Sequence, residues 1–367
     1  MSKVKIDIIS RVHIGSGKKL QYGSEFINFQ EDEDNWIGII SPRNIMSIIG
    51  KDPKVVDAWI AAIERKQPVI DFMKVYAPKA MEDDYCSRID QNCADIKDTD
   101  TLQTFIHDGL GRPYIPGSSL KGAIRTALLA KEVQKQERIK YLHNPQARKV
   151  EQQLFGNNPN EDIFRFLQVG DAYFGEYCEQ VVRLVNINER QKGSYWDESK
   201  PQLAETLPID DTSICEIRLN LKGYERAKAS VHSLPNNMTS LETIFETVNR
   251  HTIQLLEQEI AHWKERVDRP NAENVEKYIA NLQAIKETAE ACEKSNGRSC
   301  VLRLGAGSGW RFITGAWAEE LDSFEDVIVP IARRNNICYS EYDFPKSRRV
   351  DSRCKPLGFI RLTLLEE

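Results

Sequence analysis

The chain has 367 residues, of which 41% are hydrophobic and 29% charged, a soluble globular balance with room for two or three domains or one large one. Its 50 Lys and Arg against 55 Asp and Glu leave a net charge of −5, which excludes a histone-like polycation but not a local basic groove. No apolar run approaches the roughly 20 residues of a membrane span, and Met1-Ser-Lys-Val-Lys opens no signal sequence, so the cytoplasm is the expected location. None of the eight cysteines forms a Cys-x-x-Cys pair, which removes zinc-ribbon and thioredoxin-like readings and predicts buried, reduced thiols.

From Lys3 to Ser10, Val4, Ile6 and Ile8 alternate with Lys3, Lys5 and Asp7, the pattern of an amphipathic strand. It runs into Arg11-Val-His-Ile-Gly-Ser-Gly-Lys-Lys19, read as a glycine turn with two lysines. A strand near Glu25–Phe29 reaches an acidic turn at Glu31–Asp34. Ser41-Pro42 opens a short helix that stops at Gly50, and 54–66 reads as another. Segment 82–100 carries seven acids against Arg88 and Lys97 and reads as a solvated loop.

The sharpest local signal is Tyr114-Ile-Pro-Gly-Ser-Ser-Leu-Lys-Gly-Ala-Ile-Arg125. Ser118 is the candidate N-cap of a helix to about residue 137, with Leu120, Ala123, Ile124, Ala127 and Leu128 as its apolar stripe. Lys121 and Arg125 lie one turn apart on one side of it. Strand-like runs follow at 168–172 and 181–188. A loop at 189–212 then carries Tyr195-Trp196, either a stacking element or an anchor onto the domain surface. Ile214–Leu221 resumes a strand, and 239–297 forms a helical hairpin broken at Arg269-Pro270-Asn271. A strand at 301–304 enters Gly305-Ala-Gly-Ser-Gly309-Trp310-Arg311. The stretch 331–357 holds seven basic residues against three acids, and 357–365 is a final strand.

Gly117–Gly122 has a P-loop spacing, but Ala123 stands where the lysine is required. Gly305-x-Gly307 lacks the third glycine of a dinucleotide fingerprint, and His107-Asp108 has no second metal-binding element. What remains is three glycine-bearing loops with basic residues near helix or strand ends. Backbone N–H groups and cations in that arrangement suit phosphate, hence RNA or DNA; the alternative is that the glycines serve tight turns beside solvated charges.

Four landmarks then coincide in order: Ser10–Gly17, Tyr114–Ala127, Leu302–Trp310, and Phe344–Arg349 with Pro356–Arg361. Together they resemble the RAMP superfamily of CRISPR effector proteins, and within it the family of the fifth Csm subunit of type III-A complexes. The resemblance implies an α+β fold of two ferredoxin-like or RRM-like halves with helical insertions. Residues 1–212 would form one half and 213–367 the other, the latter holding the hairpin 239–297 and the loop 305–309. It implies a crRNA-binding, non-catalytic subunit that caps the 3′ end of the guide and supports its maturation and complex assembly. The implied partners are crRNA, a neighbouring RAMP filament subunit and the small helical subunit, with no membrane, metal or cofactor.

A guide of variable sequence must be held mainly through its backbone. The phosphate candidates are Lys18, Lys19, Ser118, Ser119, Lys121, Arg125, Arg303, Arg311, Arg348 and Arg349. Tyr195 and Trp196 stand where such proteins carry an RNA-separating thumb. Target-cleaving relatives use an Asp in the loop after the first strand, whereas Gly15–Tyr22 has none. His13, the remaining RNA-facing candidate, either orients the glycine turn by a hydrogen bond or serves as the acid/base of a metal-independent endoribonuclease. A protein–protein scaffold using the helical hairpin is the third reading.

Overall fold

A computed structural model of the chain describes residues 2–366 apart from 66, 144–145, 176–177, 192–193, 268–271, 313 and 331–344. The expected break at Arg269–Asn271 and the first part of the basic stretch, with Arg333 and Arg334, lie outside the described residues. The strands are β1 (Ser2–Ile8), β2 (Gly15–Gln21), β3 (Phe26–Glu31), β4 (Asp34–Ile40), β5 (Cys86–Asn92), β6 (Thr101–Phe105), β7 (Tyr114–Ile115) and β8 (Leu167–Val169), then β9 (Ala172–Tyr173), β10 (Gln180–Asn188), β11 (Trp196–Thr206), β12 (Thr212–Leu219), β13 (Ser299–Arg303), β14 (Ser347–Asp351) and β15 (Phe359–Leu364). The helices are α1 (Pro42–Ile49), α2 (Pro53–Glu64), α3 (Val69–Tyr76), α4 (Gly117–Gln134), α5 (Glu137–Lys140), α6 (Ala147–Phe155), α7 (Leu221–Ala227), α8 (Leu241–Lys264) and α9 (Glu273–Glu293).

The architecture is α+β. One antiparallel sheet has the order β13-β15-β1-β12-β8. Val4, Ile6 and Ile8 of β1 point into its core, as the alternation predicts, and meet Cys215, Ile217, Ile360 and Leu362 from the neighbouring strands. Helix α4 covers that face with Leu120, Ile124, Ala127 and Leu128. The expected boundary at 212/213 falls inside β12, after its first residue, and strands from both sides of it share this sheet.

The second sheet has the order β2-β6-β11-β10-β5-β4-β3, with β14 sharing an edge of β10. The three helices α1–α3 pack on its β3–β5 end. Ser41 caps α1 by accepting the Asn44 N–H, and Gly50 ends it at a φ of 75°. Helix α8 opens on a reciprocal cap between Ser240 and Thr243. It forms the predicted hairpin with α9, joined by Leu256, Trp263, Tyr278 and Leu282.

Three local expectations are corrected. Segment 82–100 is not a solvated loop: it contains β5, an interior strand of the second sheet, and Asp90 is fully buried. Asp90 is paired with Arg88 and Asp100 with Arg183, while Asp83, Asp84, Asp95 and Asp98 on the flanking segments are exposed. Residues 189–212 contain the long strand β11, hydrogen-bonded to β10. The lysines at 18 and 19 lie on a strand, β2, at the edge of the second sheet, rather than in a turn.

A candidate nucleic-acid interface

The glycine segments are built into one another. The His13 carbonyl accepts the Ala306 N–H at 2.8 Å, and a Cβ on Gly305 would stand 2.6 Å from that same oxygen. Gly305, with a φ of 81°, is therefore required both by conformation and by close approach. The Arg11 carbonyl accepts from Gly358, and the Ser10 hydroxyl accepts from Phe359. The first glycine segment, the loop 305–309 and the start of β15 thus form one bonded unit. The Ile106 N–H donates to Ile14, and Tyr114, just ahead of α4, lies beside Ile106.

His13 itself is buried, and its Nδ1–H donates to the Glu205 carbonyl at 2.6 Å. Burial holds its pKa below the ordinary histidine value, so the ring is neutral at pH 7. This geometry matches a histidine that orients the glycine segment.

The sequence candidates separate into two groups. Arg303 is packed against the rings of Phe312 and Phe359 and donates to the Leu357 and Gly307 carbonyls at 2.8 and 3.1 Å. Arg348 and Arg311 converge on Glu259, through Arg348 Nη2 at 2.9 Å and Arg311 Nη1 at 2.8 Å. Burial pushes the Glu259 carboxyl up, but the two guanidiniums, Arg348 foremost, reverse this and hold it far below the carboxylate range. Arg125 pairs with Glu151 and Asp162 and lies over Phe155 and Phe164. These four arginines are held by internal partners, Arg303 and Arg348 buried and Arg311 and Arg125 half-buried. Tyr195 is a further correction: it is fully buried against Trp263 and donates to the Arg266 carbonyl, an anchor rather than an exposed stacking element. Trp196 is half-buried at the start of β11, its Nε1–H on Glu198 at 2.7 Å.

The second group stays accessible. Lys18 and Lys19 are exposed on β2. The β2–β6 ladder slips between Gly15 and Lys19, so the backbone from Ser16 to Lys18 bulges from the sheet edge. Lys121 is half-buried with no carboxylate paired to it among the described residues. Burial lowers its pKa, Asp162 opposing and Arg125 adding to the effect. It borders a cleft of about 410 Å³ shared with Arg148 and Arg165 and with Arg125 and its two carboxylate partners, Glu151 and Asp162. Arg349 is half-buried and donates to the Lys200 carbonyl at 3.2 Å.

Ser118 does not cap α4. The helix starts at Gly117, whose N–H donates to Asp171 Oδ1 at 2.7 Å, while Ser118 is exposed one residue inside it and Ser119 half-buried. A Cβ on Gly117 would lie 2.2 Å from the Val169 carbonyl oxygen, so strand β8 presses directly on this turn.

Sequence reasoning missed the charge network beneath this surface. Arg88 bridges Asp90 and Glu205, Glu205 Oε2 accepts the Phe105 N–H at 2.6 Å, and His107 contacts Glu179. Three buried carboxylates face one arginine and one histidine. Burial pushes Glu205 up to about 8 and Asp90 up to about 6, with Arg88 opposing in both cases. The β-strand alternation of Arg88 and Asp90 was the available signal, masked by the surrounding acids.

The model of the RAMP superfamily matches residues 5–312. The chain belongs to the RAMP superfamily. A curated relative from Enterococcus italicus, CRISPR system Cms protein Csm5, is 29% identical over 150 residues, which cover 34% of this chain and 42% of that protein. The match therefore spans less than half of the relative. In a cryo-EM structure of a Csm–crRNA–target RNA ternary complex of a type III-A CRISPR-Cas system, one chain is matched over 100% of both lengths at 18% identity, with a TM-score of 0.71. The crystal structure of T. onnurineus Csm5 is matched over 98% of this chain and 100% of that one at 16% identity, with a TM-score of 0.64. At these identities the two structures establish a shared fold, and it agrees with the RAMP-like α+β architecture expected from the sequence.

Proposed function

We propose that this chain is a crRNA-binding subunit of a type III-A CRISPR interference complex, placed at the 3′ end of the guide, where it closes the filament and supports 3′-end maturation. The observation that carries this reading is the end-to-end fold match to one chain of a Csm–crRNA–target RNA complex. The surface chemistry is consistent with it. Lys18, Lys19 and Lys121, with the hydroxyls of Ser118 and Ser119 and the flank of Arg349, supply cations and donors beside a glycine scaffold that brings backbone close to a ligand. A guide of any sequence demands contacts to the backbone more than to base edges, and cations and hydroxyls can supply them.

Binding is favoured over catalysis. The segment after β1 holds no carboxylate, and the His13 ring is buried and neutral with one nitrogen held by the Glu205 carbonyl. The partners in this reading are crRNA, the adjacent RAMP filament subunit and the small helical subunit. The test is purification of the complex with and without this chain, followed by sizing of the bound crRNA. A changed 3′ end with an intact 5′ tag supports the reading. A lost 5′ tag places the subunit at the other end, and failure to co-purify with RNA overturns the reading.

A further inference from the structure

The RAMP halves resemble RRM domains, which read single-stranded RNA by stacking bases on aromatic side chains of the open sheet face. In this chain that face is unsuited to stacking. Strands β1, β12 and β15 turn Lys5, Asp7, Ile214, Glu216, Arg361 and Thr363 toward it, and Arg361 and Lys5 are both paired with Asp7. A single strand held through phosphates alone leaves its bases in water, so an aromatic surface elsewhere near the cations would complete the site.

Such a surface lies at the entrance to α4. Tyr114 of β7 and Tyr173 of β9 are direct cross-strand partners, and their rings stack with centroids 5.5 Å apart and planes 28° from parallel. The Arg112 guanidinium lies 4.7 Å from the centre of the Tyr173 ring. It is fixed there by Asp108 Oδ2, which accepts from Nε at 2.9 Å and Nη2 at 2.8 Å. Asp108 is itself fixed, accepting the backbone N–H groups of Leu110 and Arg112. Tyr173 remains 42% exposed and the Arg112 side chain 40% exposed. Three planar groups are thus stacked in a row at the surface, with the edge of the outer cation clamped.

Both strands of this platform lead into the turn that bears the phosphate candidates. Only Ile115 and Pro116 separate Tyr114 from Gly117, so Ser118 lies at most about 14 Å from Tyr114 along even a fully extended chain. Asp171, two residues before Tyr173, accepts the Gly117 N–H. The platform and the first turn of α4 are therefore held in one rigid arrangement.

Resting on the crRNA-binding reading, we infer that Arg112, Tyr173 and Tyr114 form a stacking platform for a base of the single-stranded RNA whose backbone passes Ser118, Ser119 and Lys121. Stacking on a tyrosine ring or a guanidinium plane accepts any base, as a variable guide requires. The test uses the purified full chain and an unstructured RNA oligonucleotide carrying 2-aminopurine, with affinity read by anisotropy over a salt series. Tyr173→Ala and Arg112→Lys should each weaken binding by about tenfold and reduce 2-aminopurine quenching, because each removes a plane. Tyr173→Phe should bind as the parent does. Arg112→Lys keeps the charge, so its salt dependence should equal the parent's. If the parent binds with a salt-dependent affinity and both Tyr173→Ala and Arg112→Lys match it in affinity and quenching, the platform is refuted while the phosphate reading stands. If the parent binds no RNA at any salt concentration, the underlying reading falls and the platform with it.

Discussion

Substituting Lys18, Lys19 and Lys121 together by glutamine tests whether the accessible cations are the ones that hold RNA. Among the described residues none of the three is placed in an ion pair, so the change removes positive charge without exposing a buried carboxylate there. Each phosphate neutralised on a single strand contributes about −0.7 to the slope of log affinity against log salt, so three contacts contribute roughly −2. Across a rise from about 50 to 200 mM salt that slope corresponds to about a 20-fold loss of affinity, which the triple variant would no longer show. The assay is RNA binding by the full chain and by the triple variant over that salt range, with thermal unfolding as a control. The variant should bind more weakly at low salt, with a slope shallower by about 2, and should unfold at the parent temperature. An unchanged slope would refute the assignment and return the phosphate contacts to residues that the fold holds internally.

Replacing Glu259 by alanine leaves Arg348 and Arg311 without their buried partner and should cost about 3–5 kcal/mol, visible as a large drop in urea midpoint. Gly358→Ala should prevent the 304–306 turn from docking, because a Cβ there would lie 2.1 Å from the Leu304 carbonyl oxygen at a φ of 90°; limited proteolysis of the loop would report it. Glu205 has its folded pKa raised to about 8, so its contribution to stability is complete below the unfolded carboxyl pKa and is lost as pH rises through about 8. Stability measured by denaturant should therefore fall between about pH 5 and 8, by up to about 1.4 kcal/mol per pH unit for one proton, and level off above pH 8, and Glu205→Gln should flatten the decline.

The elements most legible in the sequence were those with a clean period and a cap. The alternation of β1 and the Ser41-Pro42 start and Gly50 stop of α1 lie within a residue or two of their expected places, and the helices α4, α8 and α9 form where their stripes place them, α4 and α9 ending three or four residues early. Where the sequence misled, charge was the cause. The acids of 82–100 resemble a solvated loop because a one-dimensional reading cannot see that Arg88 lies between Asp90 and Glu205, two carboxylates more than a hundred residues apart in the chain. Likewise Tyr195 and Trp196 stand among polar residues in the sequence, yet Tyr195 is drawn into the core by Trp263 from a different part of the chain.

The same ambiguity governs the arginines around the glycine loop. A glycine turn followed by arginines has equal reason to bind a phosphate or its own backbone carbonyls and a buried carboxylate, and the arginines themselves do not decide between these. The deciding residue is Glu259, and its sign was readable. It lies four residues after Leu255 and four before Trp263, inside the apolar stripe of α8, where a carboxylate must have an internal cation. One inward-facing glutamate predicts that some arginine elsewhere in the chain is structural, and here it takes two, Arg311 and Arg348. Among the described residues no carboxylate is ion-paired to the lysines at 18, 19 and 121, and Asp162, the acid that acts on Lys121, is itself paired with Arg125. That asymmetry, rather than their proximity to glycine, makes them the residues through which a phosphate backbone would be held.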